Sequence, residues 1–197
     1  YDSKTADVET FNRSKVSTYA RNLVGLGMGV PEVLVPKDET MKETAADLNA
    51  DTGTPISVAA DAGGSRIRKI VFDSVPTDPA ALRGTVVKMV FDGEETVYVP
   101  IGDFFGGGPG ATNHVSLPLS SKVTGGSVAL TSRWVMPFQS KAEISLVDAM
   151  GKHVVTKAHA FTEPYPFDEN TFLFHAVYRP QKNFPARPVQ DWNIATV

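Results

Sequence analysis

No cysteine occurs anywhere in the chain, which excludes disulfides, thiolate nucleophiles and cysteine zinc sites together. The redox compartment stays open, because a sandwich of this size can be exported without bridges. No apolar run approaches the roughly 20 residues that span a bilayer, and Tyr1 is followed by no basic and then apolar leader. The start reads as a processing boundary. Nor is there an excess of either charge: 19 Lys and Arg stand against 22 Asp and Glu, interspersed, for a net charge of -3. Without a basic stripe, nucleic acid and anionic membrane are excluded as expected partners. No glycine-bracketed serine or phosphate-cradling lysine loop is present, so serine hydrolase and nucleotide chemistry gain no support. His114, His153, His159 and His175 lack the ligand spacing of helical zinc motifs, and neither a metal nor a cofactor is expected.

What is present is a chain of 197 residues that is 42% hydrophobic, enough to bury one substantial core. Residues 1–53 read as an irregular, partly helical arm. Val16, Tyr19, Ala20 and Leu23 permit a helix over Ser14 to Leu26, and Met41, Ala45 and Leu48 after the capping Asp38 predict another near residues 39–49. From Thr54 the period changes to two. Runs at Ile56 to Ala60, Ile67 to Phe72, Thr85 to Phe91, Thr96 to Ile101, Ser127 to Met136, Ala142 to Val147, His153 to Phe161 and Thr171 to Tyr178 predict about eight strands. Asp92-Gly93 and Met150-Gly151 read as tight hairpin turns. With no long helix between strands, parallel βαβ units are disfavoured, and residues 54–180 are expected to form an all-β, antiparallel sandwich, a jelly roll in preference to an immunoglobulin-like one. Residues 181–197, with Pro185 and Pro188, read as a linker, and the apolar ending Trp192 to Val197 predicts continuation into a further strand.

The densest motif runs from Met89 to Gly110. It is a strand, an Asp-Gly turn, a second strand, and a glycine-rich loop opened by Asp103, Phe104 and Phe105. Aromatic faces suit the C–H faces of sugars, and glycines let backbone approach a ligand or a neighbouring subunit. Adjacent strand residues point oppositely, so one phenylalanine is expected to anchor in the core while the other faces outward. The plainer alternative is that both phenylalanines only pin the loop and Asp103 only closes a turn. Asn113, after the glycines, and Trp134 join these three as candidate sugar contacts, with loop hydrogen bonding and core packing as their respective alternatives. Glu94 and Glu95 are adjacent on a strand and so are unlike a glycosidase pair, whose carboxyls flank one bond. No catalytic residue is assigned.

Phe91-Asp92-Gly93-Glu94-Glu95, Val99-Pro100-Ile101-Gly102-Asp103-Phe104-Phe105-Gly106, Arg133-Trp134-Val135-Met136-Pro137-Phe138 and Arg187-Pro188-Val189-Gln190-Asp191-Trp192-Asn193 together resemble the bacterial family once catalogued as domain of unknown function 2961. That family is now associated with glycoside hydrolase family 172. The likeness covers roughly Ile56 to Val197. It implies two similar jelly rolls in one polypeptide, homo-oligomers built of trimers or hexamers, and a carbohydrate substrate of the fructofuranoside or arabinofuranoside type. It also implies a retaining pair of glutamates in the second jelly roll, and the motifs that carry them do not occur here. Gly102-Asp103-Phe104-Phe105 resembles the first-half counterpart of one such motif. The expected function is therefore the non-catalytic half of a furanoside hydrolase, with a carbohydrate-binding or oligomer-forming module as the alternative.

Overall fold

A computed structural model describes residues 41–180. Twelve strands and two short helices follow in the order β1 (Lys42–Asn49), β2 (Ile56–Ala59), β3 (Ser65–Pro76), α1 (Pro79–Gly84), β4 (Thr85–Phe91), β5 (Glu94–Pro100), α2 (Ile101–Phe104), β6 (His114–Val115), β7 (Leu119–Thr124), β8 (Ser127–Ser132), β9 (Met136–Phe138), β10 (Lys141–Asp148), β11 (Val155–Pro164) and β12 (Ala176–Val177). One sheet runs β1-β11-β3-β8-β7-β6, with β9 also bonded to β3; the other runs β12-β5-β4-β10-β2.

The order is that of a jelly roll. Strands β1 to β4 pair antiparallel with β11, β10, β8 and β5 respectively, as a ribbon doubled back on itself. The ribbon then rolls up, so that β11 also meets β3 and β10 also meets β4. Its fold-back point is the predicted Asp92-Gly93 turn. Both residues have positive φ, 53° and 90°, as a two-residue hairpin matched to strand twist requires. Asp92 is also held from across the molecule, since its carboxylate accepts N–H bonds from Gln139, Ser140 and Lys141 at 2.7, 2.6 and 2.9 Å.

Alternation places the core between the sheets. Phe72, Phe91, Phe105, Phe138, Ile67, Ile70, Met89, Met136 and Ile144 are all fully buried there. Each such side chain contributes about 1.5–3 kcal/mol, while an exposed pair such as Lys88–Glu95, at 2.9 Å, contributes about 0–1 kcal/mol. Apolar contact between sheets therefore holds the sandwich, and surface charge only decorates it.

Several expectations are corrected. The helix predicted near residues 39–49 is strand β1, and the sandwich thus begins at Lys42 instead of Thr54. Met41, Ala45 and Leu48 do not form a buried stripe: Ala45 is exposed and Leu48 buried. Pairing with β11 along the whole strand outweighs the weak local preference. Met150-Gly151 is no hairpin turn, because β10 and β11 lie in different sheets and the turn carries the chain between them. The run Ser127 to Met136 is broken into β8 and β9, which bond end to end along β3. Leu119–Thr124 is a strand that the sequence reading omits, and Thr171 to Tyr178 shrinks to β12, paired parallel with β5. The predicted helix over Ser14 to Leu26 and the linker 181–197 lie outside the described residues.

Candidate functional site

The glycine-rich loop closes one end of the sandwich. Pro100 ends β5, and Ile101–Phe104 makes the single turn α2. The loop then folds back on that turn, with the Gly107 and Gly108 N–H groups both donating to the Gly102 carbonyl at 2.9 Å. A Cβ added at Gly102 would stand 1.9 Å from the Gly108 carbonyl oxygen, so only glycine fits. Asp103 faces Arg83 at the end of α1, 2.7 Å away. The same guanidinium nitrogen donates to the Tyr178 hydroxyl at 2.7 Å, so Arg83 links the loop to the segment after β12.

Phe104 and Phe105 are both buried, 7% and 0% exposed. The expectation that one faces outward is corrected. Neighbours in a helical turn are separated by about 100° instead of the 180° of a strand, and α2 presents both rings to the interior. The rings instead form a chain of contacts. Phe105 lies 5.3 Å from Phe72 in the core and 5.0 Å from Phe104; Phe104 lies 6.4 Å from Phe174, and Phe174 lies 6.1 Å from Trp134. Trp134 is 43% exposed. It sits in the break between β8 and β9, where the chain leaves β3, so the alternation that would pair it with buried Met136 does not apply. Its chain neighbour Val135 is exposed as well. Asn113 uses its side-chain oxygen to accept the Val123 N–H at 2.7 Å. Its neighbour His114 is bonded through Nδ1 to Ser121 at 2.7 Å. The cavity behind the loop, lined by Leu82, Gly102, Gly107, Thr112 and Ser121, holds about 10 Å³, room for no more than one water.

A second constellation is not visible from sequence spacing. Asp51 after β1, Asp148 at the end of β10 and His153 before β11 bring possible ligand atoms within 4.8 Å of one another. Asp148 is 8% exposed, and its carboxylate accepts N–H bonds from His153 at 2.9 Å and Met150 at 3.0 Å. Those backbone bonds, with another from Lys152, hold it well below the usual carboxylate range. His153 has φ 53°, and its Nδ1 faces both Asp51 oxygens at 2.9 and 3.0 Å. That bond raises the imidazole above its ordinary value. Backbone bonds from Asp148 to Ala50 and from Ala50 to Val154, both 3.0 Å, zip the same two loops together. Chemically, the group is a clamp. A carboxylate kept ionised by backbone amides cannot supply the proton that glycosidic cleavage needs, and its oxygens are already engaged. Glu94 and Glu95 are exposed on β5, and Glu95 pairs with Lys88.

A family model described as GH172 domain-like matches residues 40–161, from the start of β1 through most of β11, which is the doubled ribbon itself. No curated protein matches the chain. With more than half of its residues matched, and with that match falling on a jelly roll, the chain belongs to the GH172 domain-like family.

Proposed function

We propose that this chain is the non-catalytic jelly-roll half of a glycoside hydrolase acting on fructofuranosides or arabinofuranosides, and that its Trp134 end lies against carbohydrate or a neighbouring subunit of a trimer or hexamer. One observation carries the reading: a GH172-type jelly roll in which the carboxylates of the glycine-rich end and of the loop clamp are committed elsewhere, Asp103 to Arg83, Asp92 and Asp148 to backbone amides, and Asp51 to His153. A retaining mechanism needs one carboxylate free to attack and another able to give a proton across the same bond. Asp103, Phe104, Phe105 and Asn113 act in this reading through the loop they build, and Trp134 through its exposed face.

The test uses the natural polypeptide that carries this chain, assayed on aryl fructofuranosides and arabinofuranosides. Hydrolysis that survives Asp51→Asn and Asp103→Asn, with glutamates outside this chain required, is expected. Loss of kcat with unchanged folding in either variant would overturn the assignment. A carbohydrate-binding module without hydrolytic partner is the second reading, favoured by the exposed Trp134 ring, backed by the partly buried Phe174. Retention on furanose polymers by a polypeptide with no furanosidase activity would select it.

A further inference from the structure

Among the described residues, strand β1 is the edge of its sheet and is bonded only to β11. Its residues 42–47 include no buried side chain; Leu48 is the first to enter the core. Such a strand end has a backbone ladder but little apolar contact to hold it, and is expected to open at low cost. One side chain compensates. His159 of β11 projects outward and is 17% exposed. Its Nδ1 lies 2.5 Å from Glu43 on β1, and its Nε2 lies 2.9 Å from Asp73 on β3. A doubly protonated imidazole donates to both carboxylates at once and ties the edge strand, across β11, to the middle of the sheet.

The surroundings are defined on each strand. Ala45 and Val71 are the cross-strand neighbours of His159. On β11, Phe161 stacks on the imidazole at 6.4 Å, and Lys157 stands opposite Asp47 of β1. On β3, Lys69 lies over the Phe161 ring at 4.0 Å. Partial burial alone pushes the imidazole down, but the bonds and charges of Glu43 and Asp73 together outweigh it and hold it above its ordinary value.

We propose that Glu43, His159 and Asp73 form a pH-sensitive clasp that fixes the edge strand β1 to its sheet and releases the start of that strand when the imidazole loses its proton. The sign follows from the raised value. The clasp is complete below about pH 6.5, the ordinary histidine value, and is lost as pH rises through the higher value of the folded state. Release uncovers the backbone edge of β11, which can accept another strand.

Two measurements on the full chain test this. The first is an NMR titration of the His159 imidazole, expected to fall above the ordinary value of about 6.5; a value at or below it overturns the clasp. The second is hydrogen exchange of the 42–47 amides at several pH values, each normalised to the rate of an unstructured peptide. Protection is expected to fall with rising pH, by about tenfold for each unit by which the closed-state value exceeds that of the open strand. His159→Gln should abolish that pH dependence, while His153→Gln, at the other end of β1, should keep it. Equal pH dependence in wild type and His159→Gln refutes the proposal. Should His159→Gln fail to fold, Asp73→Asn serves: it should lower the His159 titration point and flatten the exchange profile, and an unchanged profile refutes the clasp.

Discussion

Asp92 and Gly102 show how much chemistry one position can carry in a sandwich. The Asp-Gly pair is legible in sequence because tight hairpin turns with two positive φ values accept few residues. That the Asp92 carboxylate also gathers three N–H groups from Gln139 to Lys141 is not legible, because those partners lie far along the chain and meet it only after the ribbon has rolled. Asp92→Ala leaves those amides without their acceptor and places a Cβ residue without a polar side chain at positive φ. A loss of about 1–3 kcal/mol is expected from urea unfolding. Gly102 is similar. The sequence marks it as a loop glycine, but only the packing shows the Gly108 carbonyl in the space a methyl group would need. Gly102→Ala should cost about 1–3 kcal/mol, whereas Gly126→Ala, whose methyl group meets nothing within 4 Å, should change the free energy of unfolding by less than about 0.5 kcal/mol. Equal effects at the two glycines would contradict the packing argument.

Elements are legible where alternation is strong and both faces have distinct surroundings. Strand β4 falls where expected, at Thr85–Phe91, because its Val, Met and Phe residues alternate into the core between two turn signals. Strand β1 is misread because its apolar residues are few and match helical spacing by chance, while its true determinant is the open edge of β11. The loop clamp at the other end of β1 was invisible for the same reason, since Asp51 and His153 come from opposite arms of the ribbon. Its two titrating groups act in opposite directions. Asp148 is depressed, so its contribution is fully present above about pH 4, the usual Asp range, and is lost progressively as pH falls from there through the much lower value of the folded state. His153 is raised, so its contribution is complete below about pH 6.5 and lost as pH climbs through its folded value. Thermal melting from pH 3 to 9 should therefore show Asp148→Asn differing from wild type throughout, by a margin that is full above about pH 4 and only begins to shrink below it. His153→Gln should differ below about pH 6.5 and converge at high pH. A constant offset at all pH values would show that neither charge matters.

At the scale of the molecule, the sequence conveys the class of fold through its period of two and lack of long helices. The jelly-roll order itself follows from nested pairing around one central hairpin, which local patterns do not encode. Of the residues singled out in sequence, Phe104 and Trp134 meet through Phe174, which local spacing cannot convey, and the helical turn α2 sends both phenylalanines inward and leaves Trp134 as the exposed ring. The consequences separate cleanly by substitution. Phe105→Ala should cost about 3–5 kcal/mol in stability. Trp134→Ala, at a half-exposed position, should cost less than about 1 kcal/mol while reducing retention on immobilised furanose polymers; stability loss as large as that of Phe105→Ala would show that Trp134 is core.

The proposed division of labour between this jelly roll and a catalytic half is tested most directly by furanoside hydrolysis with the purified chain alone. Aryl fructofuranosides and arabinofuranosides should be cleaved no faster than in buffer, across the pH range in which the chain stays folded. Turnover by the purified chain, abolished by replacing one of its own carboxylates such as Asp51, Asp103 or Asp148 without loss of fold, would contradict the account.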